Sequence, residues 1–131
     1  MANLLMPDRR ELVALCAGGF VGAVARGIVA DELTHAPDAW PWATFLVNLA
    51  GSFILGYVVV RVPLRLDPRR LFVGVGVCGA LTTFSTMQIE TLRMLDADAY
   101  ALAAAYVVVS VTLGLACIVG AGKMARRGRP A

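Results

Sequence analysis

Four hydroxyl side chains lie close together inside an apolar stretch that covers about residues 71–92. They are Thr82, Thr83, Ser85 and Thr86, and glycines precede them at positions 74, 76 and 79. At membrane depth a broken helix is tolerated only where it is buried in protein or lines a wet cavity. The pattern therefore predicts a helix interrupted in mid-membrane, whose unwound carbonyls and half-helix ends face an ion.

The composition sets the class of protein. The chain has 131 residues, of which 59% are hydrophobic, whereas soluble domains are about 45–50% apolar. Four apolar segments cover about residues 12–30, 42–60, 71–92 and 100–121. Each holds roughly 20 residues, enough to cross a hydrocarbon core of about 30 Å. We predict an all-α integral membrane protein, with one domain of four transmembrane helices and a break in the third.

Basic residues are concentrated on one side of this arrangement. Four spans put the N-terminus, the loop after the second span and the C-terminus on the same side, which carries ten of the twelve lysines and arginines. They are Arg9, Arg10, Arg61, Arg65, Arg69, Arg70, Lys123, Arg126, Arg127 and Arg129. The other side has only Arg93 and Arg26. We predict a multi-pass protein of the cell's inner membrane, and the positive-inside rule places both termini in the cytoplasm.

Three polar residues inside the spans need partners. Asn48 lies in the middle of the second span, where an amide bonds across a helix interface or faces a polar path, and both alternatives stay open. Arg26 falls near the end of the first span. It could extend its charged end to the membrane surface, pair with Glu90, or cap carbonyls inside the assembly. Glu90 could itself be interfacial.

Small residues recur four positions apart in two of the spans. Gly18 and Gly22 form one pair, and Ser110 and Gly114 form the other. This spacing lets helices approach closely in lipid, so we predict helix packing at both pairs in preference to ligand binding.

Three motifs together resemble one family. GGFVGAVAR at residues 18–26 is similar to the first-helix signature of the small fluoride channels called Fluc or CrcB. WATFLVNLAGSF at residues 42–53 resembles their second-helix signature, and GALTTFST at residues 79–86 resembles their third-helix break. The motifs occur in order and at the right separations, and the resemblance covers all four spans.

The resemblance implies a dimer of four-helix subunits in opposite orientations, with two narrow pores at the subunit interface. It also implies that fluoride leaves the cytoplasm passively, down its gradient, which reduces fluoride toxicity. We expect no enzymatic activity, because the hydroxyls of the third span have no base beside them to activate a nucleophile.

The resemblance also implies roles for individual residues. Asn48 would donate hydrogen bonds to the anion, Phe84 would turn its ring edge towards it, and Ser110 and Thr44 would belong to a polar track. Arg26 would add positive potential at the pore vestibule. The full predicted pore lining is Asn48, Phe84, Met87, Ser110, Thr44, Thr83 and Ser85.

A structural sodium ion is implied as well. Gly79 and Thr82 match the positions whose backbone carbonyls hold it at the centre of the dimer interface. Carbonyl oxygens suit a hard cation, and only an unwound helix can offer them.

Two departures from the family lead to an alternative. Met87 stands where a second phenylalanine is usual, and Gly114 stands where a second hydroxyl is frequent. One sequence that inserts in both orientations also needs balanced basic residues, which this chain lacks. The alternative is therefore a non-conducting or one-pore subunit of a heterodimer. A small multidrug transporter is less favoured, because it needs a carboxylate in the first span, where this chain has Arg26.

Overall fold

The computed structural model describes residues 8–62 and 66–127, and these ranges are helical without any β-strand. The elements are α1 (Arg9–Glu32), α2 (Trp42–Arg61), α3 (Pro68–Arg70), a π-helical segment (Leu71–Val77), α4 (Cys78–Leu81), α5 (Phe84–Asp96) and α6 (Tyr100–Arg127). They form four spans that are long and apolar enough to cross a membrane, the third being Pro68–Asp96. The predicted all-α architecture of four membrane-crossing spans is confirmed.

The helices continue beyond the apolar segments. α1 begins at Arg9, where the Asp8 N–H donates to Glu11 Oε2 at 2.7 Å. α6 runs six residues past position 121 and takes in three basic residues at its end. Charged side chains are compatible with a helix once its axis has left the hydrocarbon, and long basic ones can extend to the membrane surface. The apolar segments therefore mark the membrane-crossing part and not the helix ends.

α1 packs against the first half of the third span through its glycines. A Cβ atom on Gly18 would collide with the carbonyl group of Phe72, and one on Gly22 would collide with the carbonyl group of Val77. Both glycines are buried, whereas most of α1 is exposed. The predicted packing role of this pair is confirmed, and the rest of α1 is left to face lipid or another subunit.

The third span changes helical register before its break. Leu71–Val77 is π-helical, and the Cys78 N–H donates to the carbonyl of Val73, five residues back. Gly76 lies against α1, and a Cβ there would stand 2.8 Å from the Leu15 carbonyl oxygen. The wider π turn is thus accommodated where small residues let two backbones approach.

α2 and α6 pack side by side and share a core with α5. A Cβ on Gly56 of α2 would collide with the backbone of Ile118 in α6. At the opposite end, a buried cluster joins the three helices. Its members are Phe45, Met87, Met94, Ala103 and Tyr106. Trp40 covers this cluster edge-on, with ring centroids 5.4 Å from Tyr106, whereas Trp42 is 54% exposed.

Candidate functional site

The third span is interrupted at Thr82 and Thr83. Both residues have extended backbone between α4 and α5, with φ −78° and ψ 149° at Thr82 and φ −147° and ψ 118° at Thr83. The last helical hydrogen bond before the break runs from the Thr82 N–H to the Cys78 carbonyl at 3.0 Å. The Thr82 hydroxyl donates to the same carbonyl at 2.8 Å. The predicted break is present in the middle of the span.

Asn48 of α2 holds the break from the side. Its Oδ1 accepts the Thr83 N–H at 2.7 Å, and its Nδ2 donates to the Thr83 carbonyl at 3.1 Å. Asn48 therefore has the partner across a helix interface that was one of its two predicted alternatives. The amide nitrogen carries two hydrogens and uses one of them on Thr83, so one N–H remains for a second partner.

The Thr83 hydroxyl caps α5. Its Oγ1 accepts the Thr86 N–H at 3.2 Å and shares hydrogen bonds with the hydroxyls of Thr86 at 2.9 Å and Ser85 at 3.3 Å. The first N–H groups of a helix have no partner within it, and a capping hydroxyl supplies one. The hydroxyl cluster of the sequence thus stabilises the start of the second half-helix.

A groove of about 540 Å³ runs between α2, the third span and α6. It brings together five of the predicted pore residues and both predicted cation ligands, namely Asn48, Thr83, Phe84, Met87, Ser110, Gly79 and Thr82. The lining is otherwise apolar or small, and no Asp, Glu, Lys, Arg or His belongs to it. Ser85 does not line it, and Thr44 and Arg26 lie in a second cavity.

One polar side chain in the groove lacks a hydrogen-bond partner within the described residues. The Ser110 hydroxyl is buried and makes no hydrogen bond there, although buried polar atoms nearly always have a partner. The Phe84 ring is 66% exposed beside it.

Met87 is only 5% exposed, because most of its side chain belongs to the core around Tyr106. Gly114 lines the groove one turn from Ser110 and packs loosely, since a Cβ there would lie 3.6 Å from the Ser52 hydroxyl.

The second cavity, of about 80 Å³, lies next to Arg26. Its polar lining consists of Arg26, Thr44, Thr83 and Thr86. Arg26 is half-buried and lies well inside α1, which continues to Glu32. Thr83 lines both the cavity and the groove, so it lies between the Arg26 guanidinium and the open groove beside the break.

A buried carboxylate lies next to this second cavity. Glu90 is 6% exposed and accepts hydrogen bonds from the Thr44 hydroxyl at 2.6 Å and from the Tyr106 hydroxyl at 2.7 Å. It makes no ion pair with Arg26 in the described part of the chain. The suggested pairing of Glu90 with Arg26 is therefore absent there, because two hydroxyls inside the bundle satisfy the Glu90 oxygens.

Tyr106 is a site residue that the sequence analysis missed. It is fully buried, and it lies four residues before Ser110 on the same face of α6. That spacing is the signal that could have identified it, together with an acidic residue inside an apolar span that needs a donor.

Gly79 and Thr82, whose carbonyls are the predicted cation ligands, both line the groove. Beyond its own helix and chain neighbours, nothing lies within 4 Å of where a Gly79 Cβ would stand. The Thr83 N–H, which would reach the Gly79 carbonyl in a continuous helix, bonds to Asn48 instead. Carbonyl oxygens are the ligand type that hard cations prefer. Within residues 8–62 and 66–127, no group of three or more His, Cys, Asp or Glu side chains could hold a metal.

Comparisons with known proteins agree with one another. Residues 13–122 match the family described as "CrcB-like protein, Camphor Resistance (CrcB)". A "Fluoride-specific ion channel FluC 1" of Mycobacterium bovis is 48% identical over 125 residues, which covers 93% of this chain and 95% of that protein. Proteins named "Fluoride-specific ion channel FluC" are 41% identical in Methanopyrus kandleri, over 85% of this chain and 86% of theirs, and 38% identical in Caulobacter sp., over 89% and 95%.

Proposed function

We propose, from the premise that this chain belongs to the CrcB-like protein family, that it forms a passive channel selective for fluoride. Fluoride leaves the cytoplasm down its gradient, its toxicity falls, and the chain catalyses no reaction. The observation that carries the proposal is the buried Ser110 hydroxyl, which lines the groove without a partner among the described residues. Relatives named as fluoride-specific ion channels support the same function.

The groove has the chemistry that fluoride requires. Fluoride is small and strongly hydrated, so a pore must replace its water with hydrogen-bond donors, yet bind weakly enough to release it. Ser110 offers an O–H and Asn48 offers the N–H that Thr83 does not use. Phe84 adds the positive edge of its aromatic quadrupole. These neutral groups can coordinate an anion, and they carry no fixed positive charge that would bind it too tightly to be released.

The cavity beside Arg26 supports an entrance to this path. The guanidinium raises the local concentration of anions through its positive potential. Thr44 and Thr83 line the same cavity, so hydroxyl groups are available where an anion would leave the vestibule. Because Thr83 also lines the groove, an anion that moves from the cavity into the groove would pass this residue.

A second copy in the opposite orientation would close the groove. The groove is open along one side, and its small and apolar lining suits contact with another membrane helix. Ser110 and Gly114 keep the predicted small-residue spacing on that side. We therefore propose an antiparallel dimer in the cell's inner membrane, with pores at the subunit interface. One subunit has both termini in the cytoplasm, and its partner has both termini outside.

The dimer would enclose a structural sodium ion. The Gly79 and Thr82 carbonyls fit such an ion, because the break removes their helical donors and they lie on the groove. One chain offers only two of these oxygens, so the second chain would complete the site. When bound, such an ion would hold the two breaks together by electrostatic attraction to their carbonyl dipoles.

A heterodimer is the second candidate, favoured by the charge distribution. Within the described residues, one end of the bundle carries Arg9, Arg10, Arg61, Arg69, Arg70, Lys123, Arg126 and Arg127. Arg65 and Arg129 belong to the same count and lie outside the described residues. A chain this asymmetric would insert one way, and it would pair with a related subunit that inserts the other way. Met87 would then belong to a degraded pore.

A transporter driven by protons is not supported by the acidic residues. The acids of α1, at Glu11, Asp31 and Glu32, lie near its ends and outside its apolar part. Glu90 is buried, but it does not line the groove and its oxygens are taken by two hydroxyls. Proton-driven uptake of a cationic dye into vesicles that contain this chain would contradict the proposal.

The direct test is fluoride efflux from liposomes that contain the purified chain alone. A fluoride electrode would record the flux, and chloride-loaded liposomes would serve as the control. We expect rapid efflux of fluoride and none of chloride. If well-folded protein passes no fluoride, the homodimeric channel is wrong, and repeating the experiment with a co-expressed relative decides between a heterodimer and a non-conducting subunit.

A further inference from the structure

We infer that Asn48 is a positioning residue for the cation site, in addition to being a donor in the groove. The inference rests on the sodium ion proposed above and concerns how this chain frees the carbonyl oxygens that would hold it. It follows from the hydrogen bonds around the break, in which two side chains capture N–H groups that a continuous helix would give to Gly79 and Thr82.

The first capture is made by Asn48. In an α-helix each N–H bonds to the carbonyl four residues earlier, so the Thr83 N–H belongs to the Gly79 carbonyl. Here that N–H donates to Asn48 Oδ1 at 2.7 Å. The bond is short, and Asn48 adds a second one to the Thr83 carbonyl. The Gly79 oxygen has therefore lost its helical donor to a side chain of another helix.

The second capture is made by Thr83 itself. The Thr86 N–H would belong to the Thr82 carbonyl, but it donates to Thr83 Oγ1 at 3.2 Å. Asn48 bonds both backbone groups of Thr83, which holds this residue in the extended conformation that lets its hydroxyl cap α5. Asn48 thus removes the helical donor of the Gly79 carbonyl directly, and it removes that of the Thr82 carbonyl through Thr83.

Close packing brings Asn48 within reach of the break. Gly51 lies three residues further along α2 on the same face, and a Cβ there would collide with the Thr82 methyl group. Without a side chain at Gly51, α2 approaches the extended segment closely enough for a short amide to span the gap. The contact ties α2 to the break at the level of the two carbonyls.

One residue therefore connects the anion path with the cation site. The bonds to Thr83 fix the plane of the Asn48 amide and so fix the direction of its remaining N–H, which would donate to fluoride. Loss of the amide should disturb the cation site even without fluoride, whereas a residue that only donates to an anion would leave that site intact.

Sodium-dependent thermal unfolding of the full-length protein in detergent tests the inference. Unfolding would be followed in sodium chloride titrations, with potassium chloride keeping ionic strength constant. Asn48→Ala removes both bonds to Thr83, whereas Asn48→Asp keeps an acceptor for the Thr83 N–H. Thr91→Ala is the control, because it deletes a hydroxyl that bonds to the Met87 carbonyl in α5, outside the groove. Fluoride efflux would be measured in parallel.

We expect Asn48→Ala to weaken the apparent sodium affinity about 10- to 100-fold, the usual effect of losing a group that orients metal ligands. Asn48→Asp should keep the sodium response while losing fluoride flux, and Thr91→Ala should keep both. A wild-type sodium response in Asn48→Ala would overturn the inference and leave the proposed cation site standing. The same holds if the apparent sodium affinity falls as far in Asn48→Asp as in Asn48→Ala. If Asn48→Ala does not fold, Asn48→Asp decides: an apparent sodium affinity weakened about 10-fold or more would overturn the inference, because this variant keeps the acceptor for the Thr83 N–H. A wild-type protein that does not respond to sodium would overturn the proposed cation site as well.

Discussion

At the scale of single residues, the hydroxyl groups of this chain have two different uses. Thr83, Ser85 and Thr86 bond to one another and to the start of α5, so they stabilise the break. Ser110 is buried beside the same groove and has no such partner in the described chain. Ser110 is therefore the hydroxyl that we propose as a donor to a passing anion.

Removal of the Ser110 hydroxyl should slow fluoride flux. A hydrogen bond to a charged group contributes about 1.5–3 kcal/mol, so Ser110→Ala should reduce the efflux rate about 10- to 100-fold. Ser110→Thr keeps the hydroxyl and should retain more flux. Thr112→Ala is the matched control, because it removes an exposed hydroxyl from the same helix at a position outside the groove. Equal rates for Ser110→Ala and Thr112→Ala in the liposome assay would remove Ser110 from the path.

The hydroxyl of Tyr106 should contribute to stability as well. Tyr106→Phe leaves one oxygen of the buried Glu90 without a donor, which should lower the free energy of unfolding by about 1–3 kcal/mol. Tyr100→Phe removes an exposed hydrogen bond to Asp98 and should change the free energy of unfolding by less than about 0.5 kcal/mol. Unfolding in detergent would compare the two variants. A Tyr106→Phe protein as stable as Tyr100→Phe would mean that Glu90 does not depend on this donor.

At the scale of helices, the contact between α1 and the third span depends on backbone approach. Gly22 faces the Val77 carbonyl and lies close to the start of the break, since a Cβ there would also stand 3.0 Å from the Leu81 nitrogen. Neither obstacle is the flexible end of a side chain, so one of the two helices must move if Gly22 is enlarged. The position of the break is therefore linked to the packing of α1.

Enlarging Gly22 should destabilise the fold, whereas enlarging Gly27 of the same helix should not. Gly22→Ala forces a methyl group into backbone atoms, at a typical cost of about 1–3 kcal/mol for overpacking. Nothing lies within 4 Å of a Cβ at Gly27, and alanine favours a helix over glycine by about 1 kcal/mol. Thermal unfolding of both variants provides the measurement. Similar melting temperatures would contradict the close contact of α1 with the third span.

The four spans and the break were predictable from the sequence because their signals are local. Apolar length marks a span, and hydroxyls at membrane depth mark an interruption. The π-helical segment Leu71–Val77 was not predicted, because its glycines fit either a break or close packing and only the contact with α1 distinguishes them.

The site was predictable only in part, for the same physical reason. Asn48 was recognised as a polar residue that needs a partner, but Thr83 lies 35 residues away and bonds to it only once α2 meets the third span. Glu90 depends on Thr44, which is 46 residues away, and on Tyr106. Long-range bonds such as these need the fold before they can be assigned.

At the scale of the whole molecule, charge and shape make different demands. The open groove, with two freed carbonyls beside it, suits contact with a second chain, which we propose to lie in the opposite orientation. The basic residues favour a single orientation, because they gather at the end formed by the start of α1 and the end of α6. A homodimer must overcome this charge bias, whereas a heterodimer does not.

The orientation of the chain distinguishes these assemblies. Alkaline phosphatase and green fluorescent protein fused after Ala131 report an external and a cytoplasmic C-terminus respectively. A heterodimer requires that only the fluorescent fusion be active, whereas the homodimer expected in the liposome test requires that both be active. Ala36→Lys with Asp38→Lys adds basic residues to the exposed loop before α2 and should produce both orientations. The matched change Ala36→Gln with Asp38→Asn should not.

Fluoride resistance of the same strains connects orientation with assembly. If the wild-type chain inserts one way, it cannot form an antiparallel pair with itself, so it should protect cells only when a related subunit is present. The double-lysine variant, inserted both ways, should then protect cells alone. Similar activity of both fusions of the unaltered chain would contradict the heterodimer, and the charge bias would then have to be outweighed by pairing across the groove.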